Sequence, residues 1–404
     1  MLLLEENSMN KGNYRILVVH NYYKIPGGED TVVQNEMKML EDAGHYVMLY
    51  ARHNSELEQM SKIGKLCLPL TTIFSVRTYR DIKKIIRENK IDVVHVHNTL
   101  NLISPAVYYA ALRCKVPVIQ TIHNFRLLCP AATCYRDGKI CEDCIEKNLG
   151  CAVKHSCYRN SKIETLACVM VLRIHRIAGI YKKLFYICLT EFNKQMLLKQ
   201  GQIKPTQIFV KPNTVVENPT YPIVKKRKDQ FVFAGRLDEL KGIEILLEAW
   251  KKMGNTAPTL IVCGTGPKET WVRKFVKENH LMQVELRGFV SQDAVKEIMA
   301  ESKGMILPTQ WYEGFPMSIV EAFSVGTPVI GSDIGNVGSI IVNGVNGQKF
   351  TPSSSDELVE CVRNMNVSND SVFRYYSENY AQEINLDQLC EIYEKAIIGI
   401  GNKI

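Results

Sequence analysis

Short apolar runs alternate along this chain with longer stretches in which apolar residues return every three or four positions, the marks of buried strands and of helices packed by one face. Residues 15–20 (RILVVH) read as a first strand, and residues 31–43 as a helix after a loop holding Gly27 and Gly28. The rhythm continues through strand 46–52, helix 79–89, strand 92–97, helix 105–113 and strand 116–123. An amphipathic helix over 161–183 precedes short strands at 186–190 and 207–210. Residues 218–228, rich in proline and basic side chains, read as a linker. The alternation then restarts with strand 230–234, helix Ile243–Met253, strands Thr259–Cys263, 284–287 and 304–308, helix Met317–Ser324, and strands 328–332 and Gly347–Phe350.

Strands separated by helices argue for parallel sheets covered on both faces. The expected fold class is therefore α/β, with two facing doubly wound domains: residues 1–212 and 213–383, with a final helix over 384–404. Ligands of such sheets bind at the carboxyl ends of the strands, so the cleft between the halves is the expected working site.

The loops at those ends carry candidate chemistry. Glu313-Gly314-Phe315-Pro316 leads into the helix Met317–Ser324, whose first N–H groups are free to seat a phosphate. Gly314 would let backbone approach a ligand. Glu321, five residues past Pro316, lies about 7 Å along the axis, the reach from a diphosphate to the ribose of the same nucleotide. Arg236 and Lys241 share the loop after strand 230–234, where a forked and a point cation together can offset the charge growing on a departing nucleoside diphosphate. Gly27 and Gly28 permit close approach to a phosphate from the other half. His123, at the end of strand 116–123, can hydrogen-bond a sugar hydroxyl or take its proton. Each feature alone has a plainer reading: a strand–helix joint, exposed loop cations, a turn, a structural histidine. Their joint presence in matching loops is what favours a nucleotide-sugar cleft.

Composition narrows the class. The chain has 404 residues, 46% of them hydrophobic, and a net charge of +8. This moderate basic excess suits phosphates or an anionic membrane surface and falls short of a nucleic-acid-binding protein. No apolar stretch reaches the roughly 18 residues that span a bilayer. The N-terminus places Glu5 and Glu6 directly after Leu2–Leu4, unlike a signal peptide, and Met9 is a second candidate start. A cytoplasmic location is expected, with reduced cysteines. Arg80, Lys83, Lys84 and Arg87 fall on one helix face, and the helix over 161–183 ends in basic residues, so both are candidates for peripheral contact with the cytoplasmic face of the membrane, a solvated face being the alternative. Six of the 13 cysteines cluster between 129 and 157, where Cys141-x-x-Cys144 has zinc half-site spacing. A structural zinc on Cys129, Cys141, Cys144 and Cys157 stands beside the alternative of reduced cysteines packing a small insertion.

The combination of Gly235-Arg236-Leu237 with Lys241-Gly242, Gly264-Thr265-Gly266-Pro267, Arg287-Gly288-Phe289 and the spacing Glu313-x7-Glu321 resembles the retaining glycosyltransferases of family 4, which have the GT-B fold of two Rossmann-like domains. The N-terminal half is similar more loosely, through Gly27-Gly28, residues 92–97 (DVVHVH) and His123-Asn124. The segment 124–161 is similar to an insertion in a subset of bacterial members that build surface polysaccharides. The resemblance implies a nucleotide-diphospho-sugar donor on the C-terminal domain and a lipid-linked or saccharide acceptor on the N-terminal one. It assigns the diphosphate to Arg236 and Lys241 and the ribose to Glu321. The donor sugar falls to Glu313 with the backbone of Phe315, Pro316, Met317 and Ser318, closure over the phosphates to Gly27 and Gly28, and the border of the base to Arg287, Gly288 and Phe289. Gly264 and Gly266 belong to the donor loops, and His123 lies beside the reacting sugar. No catalytic metal or cofactor is implied. The alternatives are a nucleotide-sugar epimerase of the same fold and a non-catalytic sugar-nucleotide-binding paralogue.

Overall fold

A computed structural model describes residues 12–24, 27–216 and 226–401. Most of the expected linker lies outside the described residues. In the N-terminal half, strands β1 (Arg15–Tyr22), β2 (Tyr46–His53), β3 (Val93–Val96) and β4 (Val118–Ile122) are followed by a small hairpin, β5 (Tyr135–Arg136) and β6 (Lys139–Ile140), and then by β7 (Phe185–Cys188) and β8 (Ile208–Val210). Six of them form a parallel sheet in the order β2-β1-β3-β4-β7-β8. The C-terminal half repeats the plan with β9 (Lys228–Ala234), β10 (Thr259–Cys263), β11 (Val284–Gly288), β12 (Ser302–Leu307), β13 (Val329–Ser332) and β14 (Gly347–Phe350), ordered β11-β10-β9-β12-β13-β14. Each sheet reverses its winding beside its first strand, and this places a crevice at the carboxyl ends of both.

Continuous apolar strands follow from burial on both faces. Leu17 and Val19 turn to one core with Val94 and Val118, while Ile16 and Val18 turn to the other with Val33 and Leu40. The last helix, Gln382–Gly401, crosses back to the N-terminal domain, where Leu389, Ile392, Tyr393 and Ala396 complete that second core.

The cysteine-bearing insertion covers the hairpin and two short helices, Asp143–Glu146 and Gly150–Lys154. Its cysteines are free thiols. Among the described residues one group of three donors has all its ligand atoms within 4.8 Å of one another, and it is Glu36, His95 and His97, not the cysteines. The Cys129 thiol takes hydrogen bonds from the Cys134 side chain and from neighbouring backbone, which bring its pKa down to about 6.

Candidate active site

The glycine loop of the N-terminal domain is held from below. Asp30, in the first turn of the helix Gly28–Asp42, accepts the Gly27 N–H at 3.0 Å and pairs with His20 Nε2 at 2.7 Å. This fixes Gly28 at the carboxyl end of β1, opposite the helix Met317–Ser324 of the other domain, with Met317 Cγ 3.8 Å from where a Cβ on Gly28 would lie. The helix begins one residue after Pro316, which serves as its N-cap.

Two cavities flank this meeting point, and Gly28 and Met317 line both. The larger, 370 Å³, is bordered by His123, Glu313, Gly314 and Phe315. The other, 300 Å³, is bordered by Glu321, Gln292 and Lys296. Glu321 accepts a hydrogen bond from Gln292, and burial raises its carboxyl above the usual range. The structure thus gathers Gly28, His123, Glu313, Gly314, Phe315, Met317 and Glu321 around one cleft.

Lys241 joins them through Glu313. Its Nζ lies 2.7 Å from Glu313 Oε1, which also accepts from Thr309 Oγ1 at 3.0 Å. The Glu313 side chain is 8% exposed and that of Lys241 24%. The turn that delivers Lys241 depends on Gly242: its φ is +70°, and a Cβ there would stand 1.8 Å from the Pro308 carbonyl oxygen. Asp238 organises the same loop by accepting the Lys241 N–H and pairing with the largely exposed Arg236.

The remaining expected donor residues form the neighbouring rim and line neither cavity. The loops lie side by side, through Leu237 N–H to Thr265 O at 3.0 Å and Gly264 N–H to Gly288 O at 2.7 Å. Gly264 and Gly266 are needed by their own surroundings, since a Cβ would meet the carbonyl oxygens of Gly235 and Leu237. Arg287 pairs with Glu285 on the surface, and Phe289 is 84% exposed. Gly27 borders neither cavity and Ser318 sits in the first turn of its helix.

Under His123 lies a buried polar chain. His97 Nδ1 is 2.9 Å from His123 Nε2, and its Nε2 is 3.4 Å from Glu36 Oε1. Glu36 also faces His95 at 3.1 Å and Lys211 at 3.3 Å. Burial alone would raise the Glu36 carboxyl, but His95 and Lys211 outweigh it and hold the group well below the carboxylate range. Burial, with His97 beside it, holds His123 well below the ordinary histidine value. Burial thus favours the neutral ring, which borders the larger cavity.

Among the residues of the larger cavity that the sequence does not single out are Glu29 and Trp311. Glu29 follows the glycine pair; its side chain is 10% exposed, Tyr23 donates to its Oε2 at 3.1 Å, and Oε1, 3.9 Å from His20 Nδ1, has no hydrogen-bond partner among the described residues. Burial pushes this carboxyl up to about 8. The buried indole N–H of Trp311 likewise has no acceptor among the described residues. The signal for Glu29 is its place directly after two glycines at a strand end; nothing marks Trp311.

The chain is similar to known proteins over most of its length. The family description "Glycosyltransferase Family 4" matches residues 26–139 and "Glycosyl transferases group 1" matches residues 221–380. An uncharacterized glycosyltransferase of Methanocaldococcus jannaschii is 22% identical over 371 residues, covering 90% of this chain and 92% of its own. The UDP-Gal:alpha-D-GlcNAc-diphosphoundecaprenol alpha-1,3-galactosyltransferase of Escherichia coli is 24% identical over 341 residues, 80% of this chain and 78% of its own. Among solved structures, Anabaena HepE in complex with UDP superposes with a TM-score of 0.66 at 17% identity, covering 94% of this chain and 100% of the other. A lipopolysaccharide outer core galactosyltransferase does so with 0.64 at 16%, covering 95% and 99%. Both halves of the chain thus carry glycosyltransferase domains, set face to face in the GT-B fold, and the chain is a glycosyltransferase.

Proposed function

We propose that the chain moves a hexosyl group from a nucleotide-diphospho-sugar to a lipid-linked or saccharide acceptor, with retention at the anomeric carbon, in the building of a bacterial surface polysaccharide. The observation that carries this reading is the shared lining of the two cavities by Gly28 and Met317, with Glu313 and Lys241 on one side and Glu321 on the other. A donor laid across Met317 has its ribose at Glu321, its diphosphate between Gly27-Gly28 and the helix N-terminus, and its sugar at Glu313 beside His123.

In this reading Lys241 and Arg236 stabilise the diphosphate as the glycosidic bond breaks, the part a metal takes elsewhere. Glu313 positions the sugar and anchors Lys241. His123, kept neutral, hydrogen-bonds the sugar, and the departing phosphate takes the acceptor's proton. The acceptor enters through the larger cavity, past Glu29 and Trp311. The name of the Escherichia coli relative, a galactosyltransferase acting on a diphosphoundecaprenol-linked sugar, supports a lipid-linked acceptor, and the UDP bound to Anabaena HepE supports a nucleotide donor.

The test is to incubate the purified chain with UDP-, GDP- and ADP-sugars, with and without an undecaprenol-diphosphate-linked saccharide. The expected result is nucleoside diphosphate released only with acceptor present, and a product whose new linkage keeps the donor's anomeric configuration by NMR. Donor isomerised without acceptor would make it an epimerase, and binding without release a non-catalytic paralogue.

A further inference from the structure

The helix Lys62–Ile73 is built the wrong way round for a helix of a globular domain. An amphipathic helix normally turns its apolar stripe inward, yet here Thr72 alone is buried, while Ile63, Leu66 and Leu70, one face at i, i+3 and i+7, are each at least 70% exposed. Beside it, in contact, runs the helix Lys162–Ile177. His175 Nε2 ties them by hydrogen bonding the Ile73 carbonyl oxygen at 2.9 Å. The second helix buries Cys168, Val169 and Leu172 and exposes a second stripe: Ile163, Leu166, Met170, Ile174 and Ile177, repeating every three to four residues. That stripe spans about 21 Å. The end residues are the barest, Ile163 at 77% and Ile177 at 86% exposed.

Two adjacent apolar ridges in water need a partner. Their setting is basic. Between Lys62 and Glu88 there are seven basic and two acidic residues. The two acidic ones, Asp81 and Glu88, are paired within their own helix to Arg77 and Lys84. Lys62, Lys65, Lys162 and Arg173 flank the ridges, and the stripe of Arg80, Lys84 and Arg87 follows on the next helix, Val76–Glu88, in exposed positions. Basic residues beside an apolar ridge are what an anionic bilayer holds, through lipid headgroups above and acyl chains below. A twofold contact with a second copy would instead set this like charge against itself.

We propose that the paired faces of Lys62–Ile73 and Lys162–Ile177 form a docking surface for an anionic lipid bilayer. It deepens the reading of a lipid-linked acceptor and rests on it for its purpose. The surface is coupled to the acceptor side of the cleft: Arg176 of the second helix donates to the Leu127 carbonyl oxygen at 2.6 Å, and Leu127 borders a pocket with His123. Docking there brings the N-terminal half of the cleft to the membrane surface, where a lipid-linked sugar is displayed. No helix among the described residues is long and apolar enough to cross the bilayer, so the contact is peripheral.

Vesicle flotation of the whole chain, without donor or acceptor, tests this apart from the transfer reaction. The chain is expected to float with phosphatidylcholine vesicles containing roughly 30% phosphatidylglycerol at least about tenfold better than with phosphatidylcholine alone. The double variant Leu66→Glu/Leu70→Glu is expected to lose that binding about tenfold, while its melting curve and UDP binding stay those of the parent. Ile163→Ser/Ile177→Ser is a second variant, on the other helix, should the first fail to fold. A chain that stays off anionic vesicles overturns the proposal. So do folded variants that float as well as the parent, or light scattering that shows a dimer which these substitutions dissociate.

Discussion

The carbonyl oxygen of His123 lies 2.2 Å from the point where a Cβ on Gly314 would be. One residue belongs to the strand end of the N-terminal domain and the other to the loop before Met317, so the two halves touch through backbone at the centre of the cleft. Gly314, which also borders the larger cavity, makes room here for the other domain. Gly314→Ala is expected to hold the halves apart by more than the few tenths of an ångström that side chains can absorb, and a 1 Å misplacement costs about a hundredfold in rate. Transfer should fall by that order while UDP affinity, read by calorimetry, stays within about threefold. An unchanged rate would show that the halves need not meet there.

Asn336 fastens the same closure. Its Nδ2 reaches the Glu313 and Gly314 carbonyl oxygens at 2.6 Å each and Asn193 Oδ1 at 2.7 Å, and its Oδ1 accepts from Thr190. Asn336→Ala removes the side-chain donor to the Glu313 carbonyl oxygen and to Asn193 Oδ1, while Gly314 keeps the Asn193 Nδ2 donor at 3.2 Å, and an unsatisfied buried polar group costs about 1–3 kcal/mol. A lower melting temperature and a more open solution scattering profile are expected; a profile identical to the parent's would remove the latch from the account.

Glu29 gives the chain a readable pH signature. Its folded pKa, about 8 because of burial, lies above the ordinary carboxyl value of 4.5. The stability it contributes is therefore fully present below pH 4.5 and lost as pH rises through about 8. Glutamine imitates the neutral carboxyl at every pH. The melting temperature of Glu29→Gln minus that of the parent should grow from pH 4.5 to about 8 and then level off. A difference that does not vary with pH would place the carboxylate in water.

The frame is legible in the sequence because strands buried on two faces leave an unbroken apolar run. The helices Ile243–Met253 and Met317–Ser324 and the strands Thr259–Cys263 and Gly347–Phe350 fall where patterning puts them. The helix Lys62–Ile73 escapes that reading because Gly64 and Pro69 interrupt it and its apolar face looks outward, so neither propensity nor an inward stripe announces it. The roles of Asn336 and Gly314 exist only once the domains meet. The low pKa of His123 depends on His97 and on burial, neither visible locally, so the sequence leaves hydrogen bonding and proton uptake side by side and burial in the fold disfavours the charged ring.

The central claim is that positive charge fixed in the C-terminal loops receives the diphosphate as the sugar leaves. The most direct measurement is the steady-state rate of acceptor-dependent nucleoside diphosphate release by Lys241→Ala beside the parent chain. A fall of about 10²–10³ in kcat is predicted, the loss seen when one preorganised transition-state donor is removed, with KM for the donor changed far less. A variant that releases nucleoside diphosphate at the parent's rate would contradict the account.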